Sequence, residues 1–93
     1  MVVSFACAKT EDLFSRRVPR EFRSIARVAR KRLVALNGAT RLTDLLIPPG
    51  HRLEALKGNR KGQHSIRIND QYRLCFTWAE GNAENVEITK HYK

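Results

Sequence analysis

Acidic residues are scarce in this 93-residue chain, where nine Asp and Glu face eighteen Lys and Arg and the formal net charge is +9. The resulting pI is near 10.4, and a field of that sign draws polyanions from a distance in a salt-dependent way. Charge alone leaves three readings open: a nucleic acid, an acidic protein partner, or plain solubility charge. Cysteine is limited to Cys7 and Cys75, far apart and outside any CxxC or Cys/His ligand spacing, which gives no basis for a zinc site or a disulfide framework. No apolar run approaches the roughly 20 residues that cross a bilayer. The opening MVVSFACAKTEDLF also lacks a charged segment followed by an apolar one. No membrane association and a cytoplasmic location are therefore expected. Internal repeats and low-complexity tracts are missing too, so residues 1–93 are expected to form one domain, because two halves would each bury too little apolar area to offset their ordering entropy. With 42% apolar and 29% charged residues, the balance is that of a folding chain.

The segment MVVSFA is β-branched and aromatic, and is expected as a first strand. Thr10, followed by Glu11 and Asp12, is the expected N-cap of a short helix ending before Pro19. Over residues 20–36 the apolar side chains Phe22, Ile25, Ala26, Ala29, Leu33 and Leu36 recur at three and four, which predicts one amphipathic helix closed by Asn37-Gly38. Arg20, Arg23, Arg27, Arg30 and Lys31 fall on its outer face. Like charges three and four apart repel by a few tenths of a kcal/mol each, so this basic ridge points to a polyanion or an acidic partner. A short helix through Thr43, Asp44, Leu45 and Leu46 precedes Pro48-Pro49-Gly50, which forces a turn. Strands are expected at 51–56, 63–68, 72–78 and 85–90, with a polar glycine-flanked loop at 57–62 and turns at Asn69-Asp70 and Gly81-Asn82. The class is α+β, a small antiparallel sheet with helices on one face.

Strand parity then sorts the side chains, because neighbours point to opposite faces. Ile66 and Ile68 form one apolar row, Tyr72, Leu74, Phe76 and Trp78 a second, and Val86 and Ile88 a third. These rows face the helices. Their alternates Arg67, Arg73 and His91 are candidates for an uncovered face. Arg73 stands between apolar neighbours with no local carboxylate in sequence, and its planar fork suits a phosphate. The tail Lys90-His91-Tyr92-Lys93 carries the imidazole, which titrates nearest neutrality.

The stretch HRLEALKGNRKGQHSIRINDQYRLCFTW, residues 51–78, followed by VEITKHYK, resembles the HigB branch of the RelE/ParE toxin superfamily, also called plasmid maintenance killer proteins. The matching core is LxxLKGxRxGxxSIRxNxxxRxxF. The opening segment and the Arg-rich helix look like that family as well, so the resemblance spans essentially the whole chain. It implies a RelE-like fold and a metal-independent, cofactor-free endoribonuclease that enters the ribosomal decoding site and cuts messenger RNA there. It also implies a neighbouring helix-turn-helix antitoxin of the HigA kind, which binds the toxin and represses the shared operon, so that operator DNA is reached only through the antitoxin.

On this resemblance, Lys57 and Arg73 fall on basic positions that hold the substrate phosphate and stabilise its charge. The family's C-terminal signature is often Asp-Tyr-His, and the same positions here read Lys90, His91 and Tyr92. His91 and Tyr92 would share base, acid and orienting duties. Glu54 lies where some relatives carry a catalytic His and is an alternative base. Arg60, Lys61, His64, Arg67, Lys90 and Lys93 would hold messenger or ribosomal RNA. Two other modes of action suit a similar fold: ParE-like poisoning of DNA gyrase by protein contact, and nucleic-acid binding without catalysis. Neither needs an imidazole on a basic sheet face.

Overall fold

In the computed structural model, described for residues 1–90, a short helix α1 (Ala8–Phe14) and a longer α2 (Ala26–Gly38) pack on one face of a four-stranded antiparallel sheet. The strands β1 (Glu54–Ala55), β2 (Gln63–Arg67), β3 (Tyr72–Ala79) and β4 (Asn82–Lys90) follow one another as a meander. The core lies between the two layers. Leu13 of α1 and Ala29, Leu33 and Leu36 of α2 meet Ile66, Leu74, Phe76, Val86 and Ile88 of the sheet, all buried. This is the α+β arrangement that the apolar periodicities predict.

The stripe expected over 20–36 is buried as a stripe, although the backbone beneath it is not one helix. Arg20–Phe22 forms a separate 3-10 turn, and Ile25 departs from helical geometry with φ −113° and ψ 0° before α2 begins. Phe22 and Ile25 nevertheless reach the core, because a 3-10 turn also returns its side chains to one side every three residues. Thr10 is not an N-cap. Cys7 occupies that position, while Thr10 is fully buried inside α1 and its hydroxyl oxygen accepts the Ile88 N–H at 3.0 Å.

The N-terminal segment pairs with the sheet only through isolated parallel bridges, Val2 with Ala83 and Phe5 with Val86. The N–H groups of Val3 and Ala6 donate to the carbonyls of Ala83 and Val86 at 2.9 and 3.0 Å. This covers the open edge of β4, which would otherwise present unpaired backbone groups. β4 is longer than expected and carries a bulge at Asn85, whose φ is 54°. The register moves from Thr77 opposite Glu84 to Cys75 opposite Glu87. One inserted residue reverses the alternation, so Ala83 and Val86, three apart, are both buried in the core. The Asn85 N–H donates to Ser4 Oγ at 2.9 Å, tying the bulge to the N-terminal segment.

The strand expected at 51–56 shrinks to Glu54–Ala55 because Arg52 is left-handed, with φ 46°, and ends the 3-10 turn Pro49–His51. His51 is only 3% exposed, with Nδ1 3.3 Å from the Leu45 carbonyl oxygen. Burial holds its pKa below the usual imidazole value, the Leu45 hydrogen bond acts in the opposite direction, and the nearby Arg32 charge lowers it further.

Thr10→Val is expected to leave the Ile88 N–H buried without its acceptor and to lower stability by about 1–3 kcal/mol, read as a reduced urea midpoint with an unchanged slope. A second expectation concerns pH. Because His51 binds its proton more weakly folded than unfolded, its contribution is full above the unfolded pKa of about 6.5 and falls as pH drops below it. Urea midpoints between neutral and acid pH should therefore fall less in His51→Gln than in the wild type.

Candidate functional site

The sheet face away from the helices is polar. Cross-strand pairing places Glu54, Ser65, Cys75 and Glu87 in one row across all four strands, and Arg67, Arg73 and Thr89 in the next. Arg73 lies at the centre of this face. One of its terminal nitrogens donates to Ser65 Oγ at 2.7 Å and to Glu54 Oε1 at 3.3 Å. Its side chain is 12% exposed and that of Glu54 52%. The carboxylate absent from the local sequence is thus supplied from β1, two strands away.

The two anchors differ in kind. Ser65 is fully buried and belongs to the strand itself, so its hydroxyl is a fixed acceptor. Glu54 is half in water, where an ion pair is worth about 0–1 kcal/mol. A phosphate arriving on this face can displace the carboxylate while the hydroxyl keeps the guanidinium in place. Arg73 is therefore oriented in advance, with an exchangeable counter-ion.

At the other end of the row Glu87 accepts from Arg60 at 3.0 Å, and Gln63 Oε1 accepts from the same nitrogen at 2.9 Å. Arg60 follows Lys57 through the 3-10 turn Gly58–Arg60, and Gly58 and Gly62 take φ values of 65° and 93° that only glycine adopts readily. The loop thereby folds Arg60 back over the sheet and leaves Lys61 exposed. Lys57 is exposed next to β1 and, with Glu54, Ala55 and Leu56, lines a surface hollow of about 470 Å³. Lys57, Glu54 and Arg73 are so brought to one neighbourhood. Arg67 is the cross-strand partner of Arg73 and pairs its guanidinium with Asp70.

Two expected RNA contacts are not brought to this face. His64 pairs in register with Phe76, and their ring centroids are 6.1 Å apart, so its side chain lies on the helix-covered side. Lys90 pairs with Tyr72 and shares the parity of Ile88, which puts it on that side also. The physical reason is the alternation itself, since both are one residue out of phase with Ser65 and Thr89. His91, Tyr92 and Lys93 lie outside the described residues.

Ser65, Gln63 and Glu87 were not singled out from sequence, although parity was the available signal: Gln63 and Ser65 precede Arg67 at steps of two. Arg32 was also missed as a link between layers. Its Nε donates to the Arg67 carbonyl at 2.8 Å, and its pKa is lowered by burial and then by the like charge of Arg67. Among the described residues, no group of three His, Cys, Asp or Glu side chains is placed to hold a metal ion. Replacing Ser65 by Ala is expected to strand a guanidinium N–H in a largely buried position. The expected loss is about 1–3 kcal/mol in urea unfolding, and no loss would mean that Ser65 does not hold Arg73.

The family model of the RelE-like toxin of type II toxin-antitoxin system HigB matches residues 8–91. Toxin HigB-1 of Vibrio cholerae serotype O1 is 47% identical over 68 residues, covering 73% of this chain and 72% of that protein. An uncharacterized protein of Haemophilus influenzae is 28% identical over 68 residues, covering 73% of this chain and 67% of its own length. Among solved structures, the YoeB-YefM complex from Staphylococcus aureus aligns over 99% of both chains with a TM-score of 0.62 and 21% identity. A histidine-to-glutamine mutant of YafQ from E. coli aligns over 98% of this chain and 94% of its own, with a TM-score of 0.64 and 12% identity. These two likenesses concern the fold. The family match over nearly the whole length, with the 47% identical relative, identifies the chain as a member of the HigB family of RelE-like toxins of type II toxin-antitoxin systems.

Proposed function

We propose that this toxin is a ribosome-dependent endoribonuclease that cuts messenger RNA without a metal and is neutralised by a cognate helix-turn-helix antitoxin of the HigA kind. The observation that carries the reading is Arg73, oriented on an open sheet face by a buried hydroxyl and countered by a half-exposed, displaceable carboxylate. A binding domain would be served by exposed cations alone. An oriented guanidinium with an exchangeable counter-ion suits a phosphate whose charge grows during reaction.

In this scheme a base removes the proton of a ribose 2′-OH, and that oxygen attacks the adjacent phosphorus. The bond from phosphorus to the 5′-oxygen of the next nucleotide then breaks as that oxygen takes a proton. The products are a 2′,3′-cyclic phosphate and a free 5′-OH. Arg73 and Lys57 stabilise the charge on the phosphorane. His91 and Tyr92 share the roles of base and acid. Glu54 is the alternative base, and release from Arg73 by the incoming phosphate would free its carboxylate for that role. Arg60, Lys61 and Arg67 hold RNA around this centre, and Lys93 adds a cation at the chain end. Because the proton-transfer groups are few, ribosomal RNA is expected to complete the site, and free RNA should be cut poorly.

Primer extension on messenger from cells expressing the toxin is the test. In-frame cuts should appear on translated transcripts only, and Arg73→Ala should reduce them by about 10²- to 10³-fold, the usual loss of one charge-stabilising donor. Intact messenger together with induced DNA damage would instead indicate gyrase poisoning and overturn the reading.

A further inference from the structure

Arg60 repeats, on the same sheet face, the way in which Arg73 is held. Each guanidinium is gripped by a single nitrogen between a neutral acceptor from β2 and a carboxylate from an end strand of the sheet. For Arg73 these are Ser65 Oγ at 2.7 Å and Glu54 Oε1 at 3.3 Å. For Arg60 they are Gln63 Oε1 at 2.9 Å and Glu87 Oε1 at 3.0 Å. Gln63 and Ser65 are two residues apart on β2 and share a face, so the two neutral anchors stand about 7 Å from each other. The carboxylates lie at opposite ends of one row, Glu54 on β1 and Glu87 on β4.

Pinning the 57–62 loop does not account for this arrangement. The loop is already closed by its backbone: the Arg60 and Lys61 N–H groups donate to the Lys57 and Gly58 carbonyls at 3.3 and 3.1 Å, and the Leu56 N–H donates to the Gln63 carbonyl at 2.9 Å. An arginine that serves only as a clamp gains most from bidentate pairing of its fork with a carboxylate. Arg60 gives Glu87 one nitrogen, and its Nε and Nη2 have no partner among the described residues. Its side chain is 38% exposed, against 12% for Arg73. The two arginines thus differ in depth. Arg73 is recessed, as suits a group whose charge grows during reaction, whereas Arg60 is within reach of one that needs only to be held.

We infer that Arg60 is the subsite for a second phosphate of the same RNA strand, the neighbour of the one that is cut, with Glu87 as its exchangeable counter-ion and Gln63 keeping it aimed. The inference rests on the ribonuclease reading proposed above and adds the direction in which the strand crosses the sheet, from Arg73 over β2 toward β4. A free anion would fill either place singly. Phosphates linked in one strand fill both, because binding of the first raises the effective concentration of the second. Since phosphate contacts fix register, occupancy of Arg60 selects which phosphodiester lies against Arg73. Gln63 and Glu87 are positioning residues that act through Arg60.

The test titrates the full-length toxin against ribosomes programmed with a synthetic messenger, and reads the half-saturating toxin concentration separately from the cleavage rate at saturation. A methylphosphonate, which removes the charge of one phosphate, replaces the phosphodiester on the 5′ side of the cut in one messenger and on the 3′ side in another. One of the two should raise the half-saturating concentration of the wild type about tenfold. Arg60→Ala should show that rise already on the unmodified messenger, with no further rise on the modified one. Glu87→Gln should bind more tightly, by up to about fivefold, the value of a partly exposed ion pair. A gain of this kind does not come from a damaged fold. Insensitivity of the wild type to both methylphosphonates, or equal sensitivity in the wild type and Arg60→Ala, would overturn the inference. So would unchanged or weaker binding by Glu87→Gln, which would make the pair a clamp. A wild-type toxin that leaves the unmodified messenger uncut would instead sink the ribonuclease reading itself, and this subsite with it.

Discussion

The two-residue alternation of β3 holds this molecule together and divides its labour. Leu74 and Phe76 point into the core and give the helices something to cover. Arg73 and Cys75, one step out of phase, build the polar face, where Cys75 Sγ lies 3.3 Å from Thr89 Oγ1. A slip of one residue in register would place the guanidinium among leucines and expose the apolar row. β3 is therefore locked from both sides, by β2 through five registered pairs and by β4 through seven.

The bulge at Asn85 extends that division to the far end of β4. Without it Ala83 and Val86 would lie on opposite faces, and the N-terminal segment would have no continuous apolar surface to rest on. With it, both are fully buried, and the bridges from Val2 and Phe5 close the sheet edge. Thr10 adds a third tie, from within α1 to the Ile88 N–H. Each of these contacts joins the beginning of the chain to its last strand, so the layers form as one unit.

The excess of positive charge is distributed unevenly. On the sheet face Arg73, Arg60 and Arg67 each have a carboxylate from this chain, Glu54, Glu87 and Asp70. On the outer face of α2 the cations face water. Compensated arginines are oriented ones, suited to a substrate that exchanges for the carboxylate.

Much of this was legible in the sequence. The apolar spacing of Phe22, Ile25, Ala29, Leu33 and Leu36 marked one buried stripe, and parity along β3 assigned Leu74 and Phe76 inward and Arg73 outward. The KGNRKG loop and the SIR motif carried the family resemblance. Those signals are local, since a period of two or of 3.6 is set by backbone geometry within a few residues. The remainder depended on chain closure. Thr10 reads as a cap until β4 presents an N–H to its hydroxyl, and 51–56 reads as a strand until Arg52 turns left-handed. His64 reads as an RNA contact until registration with Phe76 puts it across the sheet. Arg73 reads as unpartnered until β1 brings Glu54 beside it. The sequence by itself determined the two layers, the basic excess and which arginine faces outward. Only the tertiary structure decided what each polar group touches, because a hydrogen-bond partner many residues away is chosen by strand register and not by any pattern within the segment that carries the donor.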